Sequence, residues 1–247
     1  MASVEQLAEI RDAQSPLDPL TQPAPCFNRI ARLYRTAEYL SFGLILERCR
    51  FHYIPAVAHC HRALVFGDGD GRFLARLLAV TPNLHADAVD ASPVMLRLLS
   101  TRIARLDARS RLTIACADAR TFQPLTSYDL VCTHFFLDCL TRSEADRLIA
   151  RLGPHLIPGA QWLVSEFQIP SGNRYYARLG QGIISVLYAA FRLLTGLTVR
   201  QIPPWSALLA RHGFRRSSSR SWLGGLLVSE VWELPQATAP QARRSHK

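Results

Sequence analysis

Five consecutive residues, Gly67, Asp68, Gly69, Asp70 and Gly71, alternate glycine with acid directly behind the apolar run 63–66. Beyond them Phe73, Leu74, Leu77 and Leu78 recur at helical spacing. A strand, a glycine turn and a helix in that order let a backbone approach a nucleotide-like ligand closely, with the helix N-terminus facing it. Glycine suits the turn because a Cβ would block either its positive φ or the ligand. Two more acids stand where strands end. Asp90 closes the run 84–89, where an acid can accept both hydroxyls of a ribose. Asp118, followed by Ala119, closes the run 112–117, where it can accept from an adenine amino group. His134 ends a fourth run, 128–133, and Asp138 follows four residues later in H-F-F-L-D. An imidazole with an ordinary pKa near ~6.5 can take the proton of a phenol or quinol hydroxyl. Asp138 shares its side if that segment turns helical.

The elements that must position these residues alternate in type. Residues 72–79 predict a helix, Pro82 a turn, and 94–106 a second helix with Ser92 as N-cap and Pro93 in its first turn. A third helix is predicted over 143–152, and Gly153, Pro154, Pro158 and Gly159 separate it from a fifth strand, 161–167. Strands joined by crossover helices imply a parallel sheet with helices on both faces. Residues 214–222 and 226–234, joined through Leu223-Gly224-Gly225, predict an antiparallel hairpin. The expected fold class is therefore α/β, a mostly parallel seven-stranded sheet with an antiparallel C-terminal hairpin.

Around that unit, residues 1–25 hold Pro16, Pro19, Pro23 and Pro25 and predict a flexible lead-in. A single domain is expected over 26–234, with cover helices in 26–60 and a helical lid insertion over 174–212. The basic tail 235–247 is expected to be disordered. A hydrophobic fraction of 49% in 247 residues supplies ample core and excludes a disordered chain. The formal net charge of +10 reads as an arginine-rich solvated surface, since net charge speaks little about fold or activity. Six cysteines include no CxxC pair, and His59-Cys60-His61 are neighbours that do not converge on one ion without a second ligand pair. No metal is expected. Residues 1–9 lack the basic start and apolar core of a signal peptide, so a reducing cytoplasm is the expected compartment.

Arg72 and Phe73 stand where a dinucleotide fingerprint requires its third glycine or alanine, which disfavours a nicotinamide or flavin dinucleotide. The turn, the ribose acid and the adenine acid on three successive strand ends favour S-adenosylmethionine (SAM). On these residues the chain resembles class I SAM-dependent methyltransferases, and more narrowly the ubiquinone/menaquinone C-methyltransferase family, over about residues 27–234. F-N-R-I-A-R-L-Y and L-S-F-G-L resemble that family's N-terminal helices, V-D-A-S-P-V-M-L its second-strand motif, and W-L-G-G-L-L-V its closing hairpin. The resemblance implies a Rossmann-like class I methyltransferase fold, SAM as cofactor and S-adenosyl-L-homocysteine (SAH) as product. It implies that Gly67, Gly69, Asp70 and Gly71 line the methionine and ribose side, and that Asp90 holds the ribose hydroxyls. Ala91 and Met95 would flank the adenine, Asp118 and Ala119 would meet its edge, and His134 would lie near the methionine moiety. The family usually carries an acid two residues before the first glycine. Val65 stands there instead, so Asp68 or Asp70 is expected to take over part of its role.

Methyl transfer from a sulfonium is an in-line displacement that needs orientation and a dry site more than covalent help. A small, apolar or aromatic, phenol- or quinol-like acceptor is expected, walled by Tyr34, Tyr39, Phe42, Tyr175 and Tyr176. The alternatives are a non-catalytic SAM-binding protein and an O- or N-methyltransferase of another small molecule. No nucleic-acid partner is expected, because no N/D-P-P-Y/F motif for an exocyclic amine is present. The apolar stretch 183–194 is too short to span a bilayer. A buried lid is its first reading. An interfacial helix, with Arg174, Arg178, Arg192 and Arg200 near anionic head groups, is the alternative that gives peripheral membrane contact.

Overall fold

The computed structural model describes residues 44–170, 178, 181–182 and 202–236. Among the described residues the α-helices and β-strands follow one another as α1 (Leu44–Phe51), β1 (Arg62–Phe66), α2 (Arg72–Val80), β2 (His85–Asp90), α3 (Pro93–Ala104), β3 (Leu112–Cys116), β4 (Tyr128–His134), α4 (Arg142–Leu152), β5 (Leu156–Phe167), α5 (Trp205–Arg211), β6 (Arg215–Trp222) and β7 (Leu227–Glu233). The seven strands form one sheet in the order β3-β2-β1-β4-β5-β7-β6. The first five pair in parallel, and β7 runs antiparallel to both β5 and β6. The expected mostly parallel sheet with an antiparallel C-terminal hairpin is what forms.

The central strands are apolar on both sides because helices cover both faces. Along β1, Leu64 and Phe66 join a core with Val131, Trp162 and the inner faces of α4 and α5. Ala63 and Val65 turn the other way, into a core with Phe73, Leu74, Leu77 and Leu99. Val65 is 1% exposed. It takes a core position, and no acid is needed there to satisfy the packing.

Burial decides where the hairpin docks. Six of the seven β7 residues are buried, while β6, R-R-S-S-S-R-S-W, has no buried residue. The apolar strand therefore sits inside against β5 and the arginine-serine strand takes the edge, where charge discourages further pairing. β5 starts at Leu156, five residues ahead of the expected Gln161. Gly159, at φ +84, donates to Leu234 O at 2.8 Å and so carries the pairing with β7 past Pro158.

Local caps end the helices as their sequences dictate. Ser92 Oγ accepts from the Met95 amide at 3.2 Å with Pro93 at the first position of α3. Thr141 and Glu144 form a reciprocal capping box on α4. Arg111 donates to the carbonyls of Leu78 and Thr81 at the end of α2. Cys60 is buried while His59 and His61 point outward, so the three side chains diverge. Among the described residues no helix is long and apolar enough to cross a membrane. The lead-in 1–25, the first cover helix, most of the stretch 174–201 and the tail from 237 lie outside the described residues, and so do Tyr34, Tyr39, Phe42, Tyr175 and Tyr176.

Candidate active site

The strand order reverses at β1, which lies between β2 and β4. Open α/β sheets bind ligands in the crevice outside the strand C-termini at such a point. The Gly67 amide donates to Val89 O at 3.0 Å and the Ala117 amide to Asp90 O at 3.1 Å. Neighbouring strand ends therefore bring Gly67, Asp90, Asp118 and His134 to one edge of the sheet.

The three glycines serve different needs. All are left-handed, with φ of +62 at Gly67, +63 at Gly69 and +80 at Gly71. A Cβ on Gly67 would lie 2.5 Å from the Phe136 ring, and one on Gly71 2.8 Å from the Leu99 Cα. Those two glycines allow close packing. A Cβ on Gly69 would meet nothing within 4 Å. Gly69 faces open space, and its amide donates to the Asp90 carboxylate.

The acids divide in the same way. Asp90 Oδ1 accepts from the Ser92 amide at 2.8 Å, and burial pushes its pKa up to about 6. Asp68 Oδ2 accepts from the Leu74 amide at 2.9 Å. It thus caps α2, whose N-cap residue, Gly71, has no side chain to do so. Burial pushes Asp68 up to about 7. Asp68→Ala is expected to cost about 1 kcal/mol, as loss of a helix cap does, seen as a melting temperature lower by about 2–4 °C. The Asp70 carboxylate meets Arg72 Nε at 3.0 Å and Arg102 Nη2 at 2.8 Å, so only its backbone serves the turn directly. Asp118 receives Arg120 Nη2 at 2.6 Å and the Arg120 amide at 2.8 Å. Burial pushes its pKa up, but Arg120 outweighs that and holds the carboxyl below its ordinary range. Arg120 also reaches Glu144 at 3.3 Å, tying the loop after β3 to α4. Met95 and Ala119 are buried beside this loop and the start of α3, and Ala91 is exposed.

His134 is 4% exposed, packs on the Phe73 ring at 4.2 Å, and has no hydrogen-bond partner at either ring nitrogen among the described residues. Burial, with Arg50 nearby, holds its pKa well below the ordinary value, so the ring is neutral at pH 7. Phe135 follows at φ +52 and turns the chain out of β4. Leu137–Cys139 is then a single 3-10 turn, so no helix runs from His134 to carry Asp138 on its side. Asp138 is instead buried beside Glu166, the penultimate residue of β5.

Glu166 and Arg50 escaped the sequence reading. Arg50 lies in the last turn of α1, is 9% exposed and stands 5.1 Å over the Phe135 ring. Glu166 carried a usable signal. It is an acid closing an apolar strand, W-L-V-S-E-F, as Asp90 and Asp118 close theirs.

These residues fit SAM. Gly69 leaves room for a ligand where the strand order reverses, Asp90 offers a carboxylate beside it, and His134 presents two buried nitrogens without partners among the described residues. Residues 64–161 match the family model described as a methyltransferase domain. No curated protein matches the sequence. Among solved structures, the chain is similar to the N-methyltransferase NodS from Bradyrhizobium japonicum WM9, at 15% identity and TM-score 0.54 over 78% of this chain and 98% of that one. NodS has also been solved in complex with SAH, matching at 14% identity and TM-score 0.54 over 77% of this chain and 88% of that one. An O-methyltransferase family protein from Burkholderia thailandensis matches at 18% identity and TM-score 0.62 over 94% of this chain and 68% of that one. At these identities the likeness speaks to fold. The family match covers the strands that build the site, so residues 64–161 are similar to a methyltransferase domain, and the likeness in fold agrees with that match.

Proposed function

We propose that the chain methylates a hydroxyl or amine of a small, apolar or aromatic, phenol- or quinol-like acceptor. The observation that carries the cofactor side is half-buried Gly69, with open space at its Cβ position beside the Asp90 carboxylate. In this reading Gly69 and its neighbours Gly67 and Gly71 shape the floor, and Asp90 accepts the two ribose hydroxyls. Ala91 and Met95 flank the adenine, with Ala119 and the remaining acceptor capacity of Asp118 at its edge. SAM, when bound, supplies an electrophilic methyl group on a sulfonium sulfur. His134 offers a hydrogen bond to the methionine moiety. Its depressed basicity favours that role over proton abstraction, and leaves Asp138 as the preferred proton acceptor.

An acceptor side lies next to the end of β5. A cavity of about 230 Å³ is lined by Phe167, Ile169, Ile202 and Trp205, with Arg216 and the buried Glu230 at its wall. Gln168 and Ser206 add polar groups to the same wall, and aromatic and aliphatic side chains set among polar ones suit an aromatic ring that bears heteroatoms. A contribution of Tyr34, Tyr39, Phe42, Tyr175 and Tyr176 to acceptor binding rests on the sequence alone. The names of the structural neighbours, N- and O-methyltransferases, support a heteroatom acceptor. Ring-carbon methylation of a quinol is the narrower reading and rests on the sequence motifs alone. So does uptake of a lipidic acceptor from a membrane surface through Arg174, Arg178, Arg192 and Arg200.

Incubation with methyl-labelled SAM and a panel of phenols, quinols and aryl amines tests the reading by mass spectrometry. Label on the heteroatom of at least one aromatic acceptor is expected. Tight SAM binding with no transfer to any acceptor would instead identify a ligand sensor.

A further inference from the structure

Glu166 is 0% exposed, yet one of its oxygens does the work of a backbone acceptor. Its Oε1 accepts from the Leu137 amide at 2.8 Å and the Phe136 amide at 3.1 Å, and the carboxyl also takes the Asp138 amide. These are the donors that the chain exposes when Phe135, at φ +52, breaks the β4 ladder. The grip reaches the glycine turn through one side chain. Phe136 stacks on Phe66 at 5.7 Å, and its ring occupies the space where Gly67 would carry a Cβ, 2.5 Å from that point. The second oxygen, Oε2, is buried and without a hydrogen-bond partner among the described residues.

We propose that Glu166 is a positioning residue of the cofactor site: its carboxyl pins the turn 136–138, and the turn in turn holds Phe136 against Gly67 and Asp138 at the edge of the sheet. The proposal rests on the SAM reading of that edge. Burial and the adjacent Asp138 push the Glu166 pKa well above its ordinary value. A carboxamide of the same length keeps a carbonyl oxygen for the amides. A thioether of similar length fills the space but accepts almost nothing.

Glu166→Gln and Glu166→Met are therefore compared with wild type by hydrogen exchange over 135–140 and by SAH calorimetry. In Glu166→Met the amides of 136 and 137 are expected to exchange about tenfold faster or more, because buried donors lose their acceptor, and SAH affinity to fall by a similar factor. Glu166→Gln is expected to recover most of both. If the methionine variant does not fold, Glu166→Asp, which withdraws the carboxyl by one methylene, takes its place. Unchanged exchange in the variant overturns the pin. Faster exchange with unchanged SAH affinity overturns its link to the cofactor site. Equal damage from Gln and Met overturns the role of the acceptor oxygen. If wild type binds no SAH, the cofactor reading falls, and the positioning role falls with it even where the exchange comparison shows the pin.

Discussion

Asp90→Ala is expected to bind SAM at least about a hundredfold more weakly than wild type. Each ribose hydroxyl bonded to a charged acceptor contributes about 1.5–3 kcal/mol, and the variant loses both bonds. Asp90→Asn retains a neutral acceptor for the Gly69 and Ser92 amides, so a loss of about tenfold is expected there. Titration calorimetry across pH adds a second reading from the same residue. Asp90 is pushed up to about 6, so wild-type affinity should fall as pH drops through that value and the carboxylate is neutralised. Ligand-free stability moves in the opposite direction. The folded pKa lies above the unfolded one of about 3.9, so folding binds the proton more tightly. This group's stabilisation is complete below about 3.9 and is lost as pH rises through about 6. Asp90→Asn should flatten both profiles. A wild-type affinity that holds constant from pH 7 to pH 5 would remove Asp90 from the ribose site.

Gly71→Ala and Gly69→Ala are expected to separate folding from binding. At Gly71 a Cβ would stand 2.7 Å from Leu99 Cγ and 2.8 Å from its Cα, and backbone cannot swing aside. Left-handed strain at φ +80 adds to the overlap. Together these should cost roughly 2–5 kcal/mol, a fall in melting temperature of about 5–15 °C. At Gly69 the strain alone remains, about 1–2 kcal/mol, because the added methyl meets no protein atom. That methyl would instead enter the ligand's space. Gly69→Ala should therefore stay folded and lose SAM affinity at least tenfold, by an amount larger than its loss of stability implies. Equal affinity in Gly69→Ala and wild type would mean that the ligand does not approach the turn there.

Much of this arrangement is legible in local sequence, and the boundary of legibility follows sequence separation. The glycine turn, Asp90 and the N-cap Ser92 are local features, and each sits where spacing and residue type place it. The hairpin was legible too, although its docking, with β7 inside and β6 at the edge, is set by burial of β7 against β5. Asp70 shows the limit. Its neighbour Arg72 was in view, but Arg102, 32 residues on, helps turn the carboxylate away from the turn's open side. Asp118 is held by Arg120, two residues away, which a reading of strand ends alone passes over. Asp138 was placed by assuming a helix after His134, and the left-handed Phe135 ends that assumption. Val65 is a core residue, and Asp68 is engaged with the Leu74 amide in the first turn of α2, a contact six residues away in sequence. Glu166 meets Phe136 and Leu137 across about 30 residues, a pairing that no local pattern encodes.

We propose that SAM binds at the edge formed by Gly69, Asp90 and His134. Titration calorimetry of the wild-type chain with SAH, and separately with NADH, decides it. One SAH per chain, with no heat from NADH and with binding lost in Asp90→Ala, is the predicted result. Binding of NADH in place of SAH, or SAH binding indifferent to both Asp90→Ala and Gly69→Ala, would contradict it.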